Sequence, residues 1–124
     1  QNKWAFTWVP SVGISSACIV KDTKDSVSVA MATDDGLLWN VEWKNNLQNV
    51  SRFAVRPVAF SVQDMVASNG RIFMAGFDGI ISADCEKGIF EKIADGYFQS
   101  VDVDDNNVVA ADGIGRIMKF TIGK

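Results

Sequence analysis

Three observations predict an all-β fold, a β-propeller of about three four-stranded blades. Short runs rich in Val, Ile and aromatic residues are interrupted at even spacing by turn residues such as Asp34-Asp35-Gly36 and Lys44-Asn45-Asn46. Residues 62 to 81, VQDMVASNGRIFMAGFDGII, align without a gap on residues 98 to 117, FQSVDVDDNNVVAADGIGRI, at an offset of 36. No segment keeps a helical period for long: between Gly88 and Gly96 only seven residues are available, with Ile89, Phe90 and Ile93 apolar.

The repeat sets the order of elements. Gln63 matches Gln99, Ala75 matches Ala111, Gly79 matches Gly115, and Ile72-Phe73 matches Val108-Val109. A third copy lies upstream, where Ala32 and Gly36 take the places of Ala75 and Gly79. About five residues are inserted there, and the polar run Lys21-Asp22-Thr23-Lys24-Asp25 reads as a lengthened turn. The expected strands of the first blade (14–56) are Ile14–Val20, Ser26–Thr33, Leu37–Trp43 and Leu47–Val55. Those of the second (58–95) are Ser61–Ala67, Arg71–Gly76, Ile80–Cys85 and Ile89–Ala94. The third (97–124) holds only Phe98–Val103, Val108–Ala111 and Arg116–Ile122, while residues 1–10 contain a strand-like run, Lys3 to Val9, with no blade of its own. Runs such as Val27–Ala32 alternate poorly because both faces are apolar or small, as expected of strands buried on both sides by stacked sheets.

The structural residues of the turns are Gly36, Gly79 and Gly115 with Asp35 and Asp78. A type I′ hairpin needs positive φ, which Asp-Gly supplies at little steric cost. Gly113-Ile114-Gly115 is half of a dinucleotide fingerprint, but a strand follows it where a helix is required, so it does not read as a phosphate site.

Composition excludes several function classes. The 12 basic and 15 acidic residues give a net charge of −3 without any basic cluster, which argues against nucleic acid and an anionic membrane surface. No apolar run approaches the roughly 18 residues of a membrane-spanning helix, so no membrane insertion is expected. The chain opens on Gln1 with no charged-then-apolar leader, as expected of a processed chain or a fragment of a longer one. Cys18 and Cys85 lie far apart in strand-like segments and read as two buried, reduced thiols, which points to a reducing, cytoplasmic or nuclear setting.

Repeats of this length, with a small residue, an Asp-Gly turn and then alternating apolar residues, resemble the WD40 family of β-propellers. The residues that carry the resemblance are Ala32 to Val41, Ala75 to Ala83 and Ala111 to Phe120. The pattern spans about residues 14 to 122, but the signature residues are missing: there is no His, and Val41-Glu42, Asp84-Cys85 and Phe120-Thr121 stand at the Trp-Asp places. The resemblance therefore implies a propeller that lacks the hydrogen-bonded His, Ser, Trp and Asp network of strong WD40 repeats. It also implies that an N-terminal strand completes the last blade, and that three blades, against the usual four to eight, need partners. Those partners are other proteins, the remainder of the same propeller, or a second copy forming a two-fold homodimer.

No catalytic, cofactor or metal site is expected. Without His, Ser/His and Cys/His dyads are excluded, and the acidic run from Asp102 has Gly113 where a calcium loop needs its Glu. The candidate interaction residues are Trp4, Trp8, Trp39, Trp43, Arg52 and Arg56. Trp39 and Trp43 share one face of a strand, as do Trp4 and Trp8, for blade packing or for a sugar ring or partner anchor. Arg71 and Arg116 do not align, so no repeated basic site is implied. The leading expectation is a non-catalytic scaffold in a multi-subunit assembly. The alternatives are a carbohydrate-binding propeller lectin and a fragment of a propeller enzyme.

Overall fold

The computed structural model describes residues 13–45, 47–52, 62–84 and 87–122. The expected closing strand within residues 1–10 lies outside this range, as do Trp4, Trp8, Arg56 and Cys85. Eleven strands make up all the regular structure of the described residues. The first sheet is the antiparallel meander β1 (Ile14–Asp22), β2 (Ser26–Thr33), β3 (Leu38–Lys44) and β4 (Leu47–Arg52). The second is β5 (Val62–Ser68), β6 (Arg71–Gly76), β7 (Gly79–Asp84) and β8 (Ile89–Ala94). The third has three strands, β9 (Phe98–Asp104), β10 (Asn107–Asp112) and β11 (Ile117–Thr121).

Strand pairing bears out the internal alignment through the first two strands of each sheet, while beyond the next turn Ile117 faces Ala111 as Ile80 faces Ala75, one residue away from its aligned Ile81. Ile14, Val62 and Phe98 open β1, β5 and β9 and face Thr33, Gly76 and Asp112, and each of the three ladders is bulged one residue further on. The bulge bends the first strand of every sheet in the same place. The five-residue insertion in the first sheet lengthens the turn only in part, with four residues between the paired Asp22 and Val27 against two between Ser68 and Arg71. β1 and β2 hold nine and eight residues against seven and six in β5 and β6. One further rung and a second bulge between Ile19 and Lys21 take up the other three inserted residues.

The sheets stack through both of their faces. Ala30, Ala32 and Leu38 of the first sheet pack against Met65, Ile72, Met74, Ile81 and Ala83 of the second. From its opposite face the second sheet sends Phe73, Ala75 and Ile80 onto Phe98, Val101, Val108 and Ala110 of the third. Each sheet therefore has a forward face, directed at the next sheet, and a backward face. Cys18 is half-buried against the first of these clusters, less enclosed than its sequence setting suggests. A third cluster, Met31, Trp39 and Val41 with Val29 and Trp43, covers the backward face of the first sheet. Asp64 ties the second and third sheets by a polar contact: its Oδ2 accepts the Val101 N–H at 2.9 Å. The stack does not close into a ring among the described residues.

Gly36, Gly79 and Gly115 all have positive φ, at 82°, 104° and 94°. The expected I′ geometry is not theirs, because it requires positive φ at both central residues and neither Asp35 nor Asp78 has it. In the first sheet the Gly36 N–H closes a turn on the Thr33 carbonyl, and the Thr33 N–H returns to the Leu37 carbonyl, a three-residue loop with left-handed glycine at its end. The I′ signature falls instead on Asn69-Gly70, with φ of 52° and 78°. Gly79 carries a further constraint, since a Cβ there would overlap the backbone carbonyl of Ala94 at the end of β8, while a Cβ on Gly115 would meet nothing within 4 Å. Gly115→Ala should therefore cost about 1 kcal/mol for its backbone alone. Gly79→Ala should cost about 3 kcal/mol, strain and overlap combined, as read by urea denaturation of the two variants side by side.

Candidate functional site

The turns between the second and third strands of each sheet gather at one end of the stack, beside the segments that lead into β1 and β9. The Asp34 N–H donates to the Gly13 carbonyl at 2.8 Å, and in the third sheet the Gly113 N–H donates to the Tyr97 carbonyl at 2.9 Å. At both places a side chain crowds the facing glycine. A Cβ on Gly13 would press on Asp34 Oδ2 at 2.6 Å, and a Cβ on Gly113 would run into the Tyr97 ring. Tyr97 on its other side stacks on Phe77 of the second-sheet turn, with ring centroids 4.4 Å apart and planes 11° apart. At the rim each of these turns is thus tied to the chain entering its own sheet, the Tyr97–Phe77 stack joins the third sheet to the second, and Phe77 and Ile114 stay 55% and 79% exposed.

Each rim turn satisfies the N–H just beyond its glycine, except that the tighter second turn pairs Gly76 directly with Gly79. In the first turn Asp35 Oδ1 receives the Leu37 N–H at 3.3 Å and the Thr33 hydroxyl at 2.6 Å. The Thr33 oxygen in turn accepts the indole N–H of the buried Trp39 at 3.2 Å. The resemblance to WD40 repeats implied no such network. The four-membered form with His is absent for want of any His, but Thr33, Asp35 and Trp39 form a three-membered chain of their own. In the third turn Asp112 does the same work from one position upstream of the loop. Its Oδ1 accepts the N–H groups of Ile114 and Arg116 at 3.0 and 2.8 Å, and its Oδ2 accepts Nε of Arg116 at 2.6 Å.

Trp39 and Trp43 do share a face, pairing with Met31 and Val27 across β2. Trp39 is only 7% exposed and Trp43 is half-buried in the same cluster. Arg52, on the neighbouring β4, lies over the Trp39 ring with its guanidinium carbon 5.7 Å from the centroid. Asp78 is half-buried in the second turn. Arg71 bonds the buried Ser82 hydroxyl at 2.6 Å and covers Phe73, so it and Arg116 serve different local contacts. Among the described residues no group of three or more His, Cys, Asp or Glu side chains could hold a metal ion. No helix among them is long and apolar enough to cross a membrane. Sequence reasoning missed Thr33 and Asp112. Their signal is that both are polar at the place aligned with Gly76, where each begins a turn with glycine three residues on.

The second candidate surface is the forward face of the third sheet. Register places Val109, Ala111 and Ile117 where the second sheet has Phe73, Ala75 and Ile80 and the first has Ala30, Ala32 and Leu38. Those six residues are at most 1% exposed, whereas Val109 is 41% and Ile117 78% exposed.

No protein-family model and no curated protein matches the chain. Seven solved chains do. Among them is the crystal structure of the computationally designed Ika4 protein, with a TM-score of 0.57 and 14% identity over 96% of both chains. At that identity the likeness is one of fold alone. Among the described residues the chain is an all-β protein of three antiparallel sheets.

The turn networks make two expectations measurable. Thr33→Val leaves the buried Trp39 N–H without its acceptor and should lower stability by about 1–3 kcal/mol in thermal or urea unfolding. For Asp112, the Arg116 backbone N–H holds the carboxyl below the usual carboxylate range; burial works against this, and the Arg116 guanidinium and Ile114 N–H reinforce it. A depressed folded pKa makes the stabilisation complete above the ordinary Asp value of about 3.9, and it is lost as pH falls through the folded value. Unfolding midpoints should accordingly drop more steeply below about pH 4 in the wild type than in Asp112→Asn.

Proposed function

We propose that this chain is a non-catalytic protein–protein interaction module, a WD40-like, propeller-type stack of blades that acts as a scaffold subunit, or part of one, in a larger assembly. The observation that carries this reading is the uncovered forward face of the third sheet. Two successive junctions bury the same repeat positions to 1% exposure or less, and at the third the equivalent Ile117 stands 78% exposed. Exposed apolar side chains clustered on a sheet face mark surfaces that other proteins cover. The exposed rim residues Phe77 and Ile114 lie at the turn end of the same sheets and add to the surface a partner would meet.

The carbohydrate reading gains no surface at Trp39, whose ring is buried beneath Arg52 and bonded through its N–H to Thr33. As part of an intracellular assembly the module would work in the cytoplasm or nucleus.

Ile117→Asp tests the reading, because a residue this exposed can take a charge with a change in stability of about 0.5 kcal/mol or less. Affinity purification of the tagged chain at native abundance should recover protein partners in stoichiometric amount, and Ile117→Asp should lose them while its unfolding midpoint is kept. Recovery of the wild-type chain with no associated protein, or glycan-array binding that disappears in Trp39→Ala, would overturn the scaffold reading.

A further inference from the structure

We infer that the protein covering the forward face of the third sheet is a second copy of this chain, related by a two-fold axis parallel to β10, so that the two forward faces cover each other. The inference rests on the scaffold reading above and names the partner. The other end of the stack takes no part, because Met31, Trp39 and Val41 on the backward face of the first sheet are 8%, 7% and 0% exposed within the single chain. The open apolar centre is that of the third sheet's forward face, with Val109 at 41% and Ile117 at 78% exposure. A chain with one such face pairs with its like isologously, each copy contributing the same patch, and that patch has to be complementary to itself.

The charges on this face meet the requirement. Asp102, Val109 and Lys119 form one rung across β9, β10 and β11, and Ser100, Ala111 and Ile117 form the next. A two-fold axis parallel to β10 keeps each rung at its own level and exchanges its ends. Asp102 of each copy then meets Lys119 of the other, at two equivalent places, with Val109 on Val109 between them. In the next rung Ile117 of each copy reaches over Ala111 towards Ser100 of the other, where small side chains leave it room. An axis running across the strands would instead set Asp102 on Asp102 and Lys119 on Lys119, and like charges so placed are repelled. The permitted axis also leaves the strands of the two sheets aligned, a usual way for sheets to pack.

Neither charge is used inside the chain. Asp102 and Lys119 are both exposed and stand two strand spacings apart, about 10 Å. The ion pairs among the described residues are Lys92 with Asp95 and Arg116 with Asp112. A face three strands wide lies at the small end of specific interfaces, so the pairing is a reversible, micromolar equilibrium.

Sedimentation equilibrium of the whole chain between about 1 and 300 µM tests this, a range chosen to bracket micromolar association. The mean mass should rise from one copy towards two and no further. Ile117→Asp should weaken pairing by at least about tenfold, with circular dichroism and unfolding midpoint unchanged, since the side chain is exposed. Asp102→Lys and Lys119→Glu each put like charges at both places and should weaken pairing by about tenfold. Mixed in equal amounts, the two charge variants should pair again, because each then meets the opposite charge on the other. A wild type that is monomeric throughout, or a mass above two copies, overturns the inference. So does a dimer indifferent to Ile117→Asp, or a pair of charge variants that stays apart on mixing. A monomer that still recovers a different protein, lost in Ile117→Asp, overturns the second copy as partner and leaves the scaffold reading standing.

Discussion

Ile72 and Phe73 are consecutive residues of β6, and both are buried, at 0% and 1% exposure, although a strand sends successive side chains to opposite sides. The second sheet must consequently be covered twice, and everything else about the molecule follows from meeting that demand. At about 25 cal/mol per Å², leaving either face in water would forfeit the burial of several large side chains, more than a single meander could recover from its hydrogen bonds. A four-stranded sheet of this sequence does not stand alone. It exists as a layer between two others, and the sequence repeat is the chemical form of that layering.

Stacking demands that successive sheets hold a constant offset, and the turns and bulges provide it. A bulge at the second residue of β1, β5 and β9 bends the first strand of each sheet alike, where β5 can approach both β1 and β9. At the rim the turns are tied to the chain entering the same sheet. The N–H of Asp34 reaches Gly13, and that of Gly113 reaches Tyr97, through one bond with two different side-chain solutions. In the first, aspartate stands on the turn and glycine on the incoming chain; in the second, tyrosine stands on the chain and glycine on the turn. Conserving the backbone contact while exchanging which partner is small allowed the Tyr97 ring to reach across and stack on Phe77, so the third sheet is fastened to the second by aromatic contact as well as by core packing.

Much of this architecture was legible in the sequence because its determinants are local. Alternation and turn residues placed eleven strands within a residue or two, apart from the expected end of β4, which lies beyond the described residues. The gap of about five residues was also visible, but not that Lys21 and Asp22 belong to a strand, since a polar run at a hairpin end satisfies either assignment. Asp-Gly specifies an I′ turn only in a two-residue loop, and the loop length follows from the register. Asn69-Gly70, the pair that meets the I′ requirement, lies inside the aligned repeat. The contact from Asp64 to Val101 N–H spans 37 residues, and no spacing rule encodes a bond between sheets. Trp39 illustrates the same limit. Its parity with Trp43 was readable, but its burial beneath Arg52 and its bond to Thr33 depend on neighbours that only the fold assembles.

The forward face of the third sheet differs from its predecessors in a way that bears on what it is for. Across the first sheet the middle rung runs Cys18, Ala30, Asn40, and across the second Val66, Phe73, Ser82. In the third it runs Asp102, Val109, Lys119. The next rung keeps its apolar character, with Ala111 and Ile117 in the places of Ala75 and Ile80. Opposite charges therefore flank Val109 at the positions where the interior junctions place neutral side chains, while the apolar centre is retained. A permanently buried junction has no use for that arrangement, since each charge would have to be stripped of water. On the reading proposed above, Asp102 and Lys119 can stay hydrated at the margin of a contact while Val109, Ala111 and Ile117 are covered. The face thus keeps the apolar centre of an interior junction with charges set beside it, and in this it differs from the two buried forward faces of the same repeat.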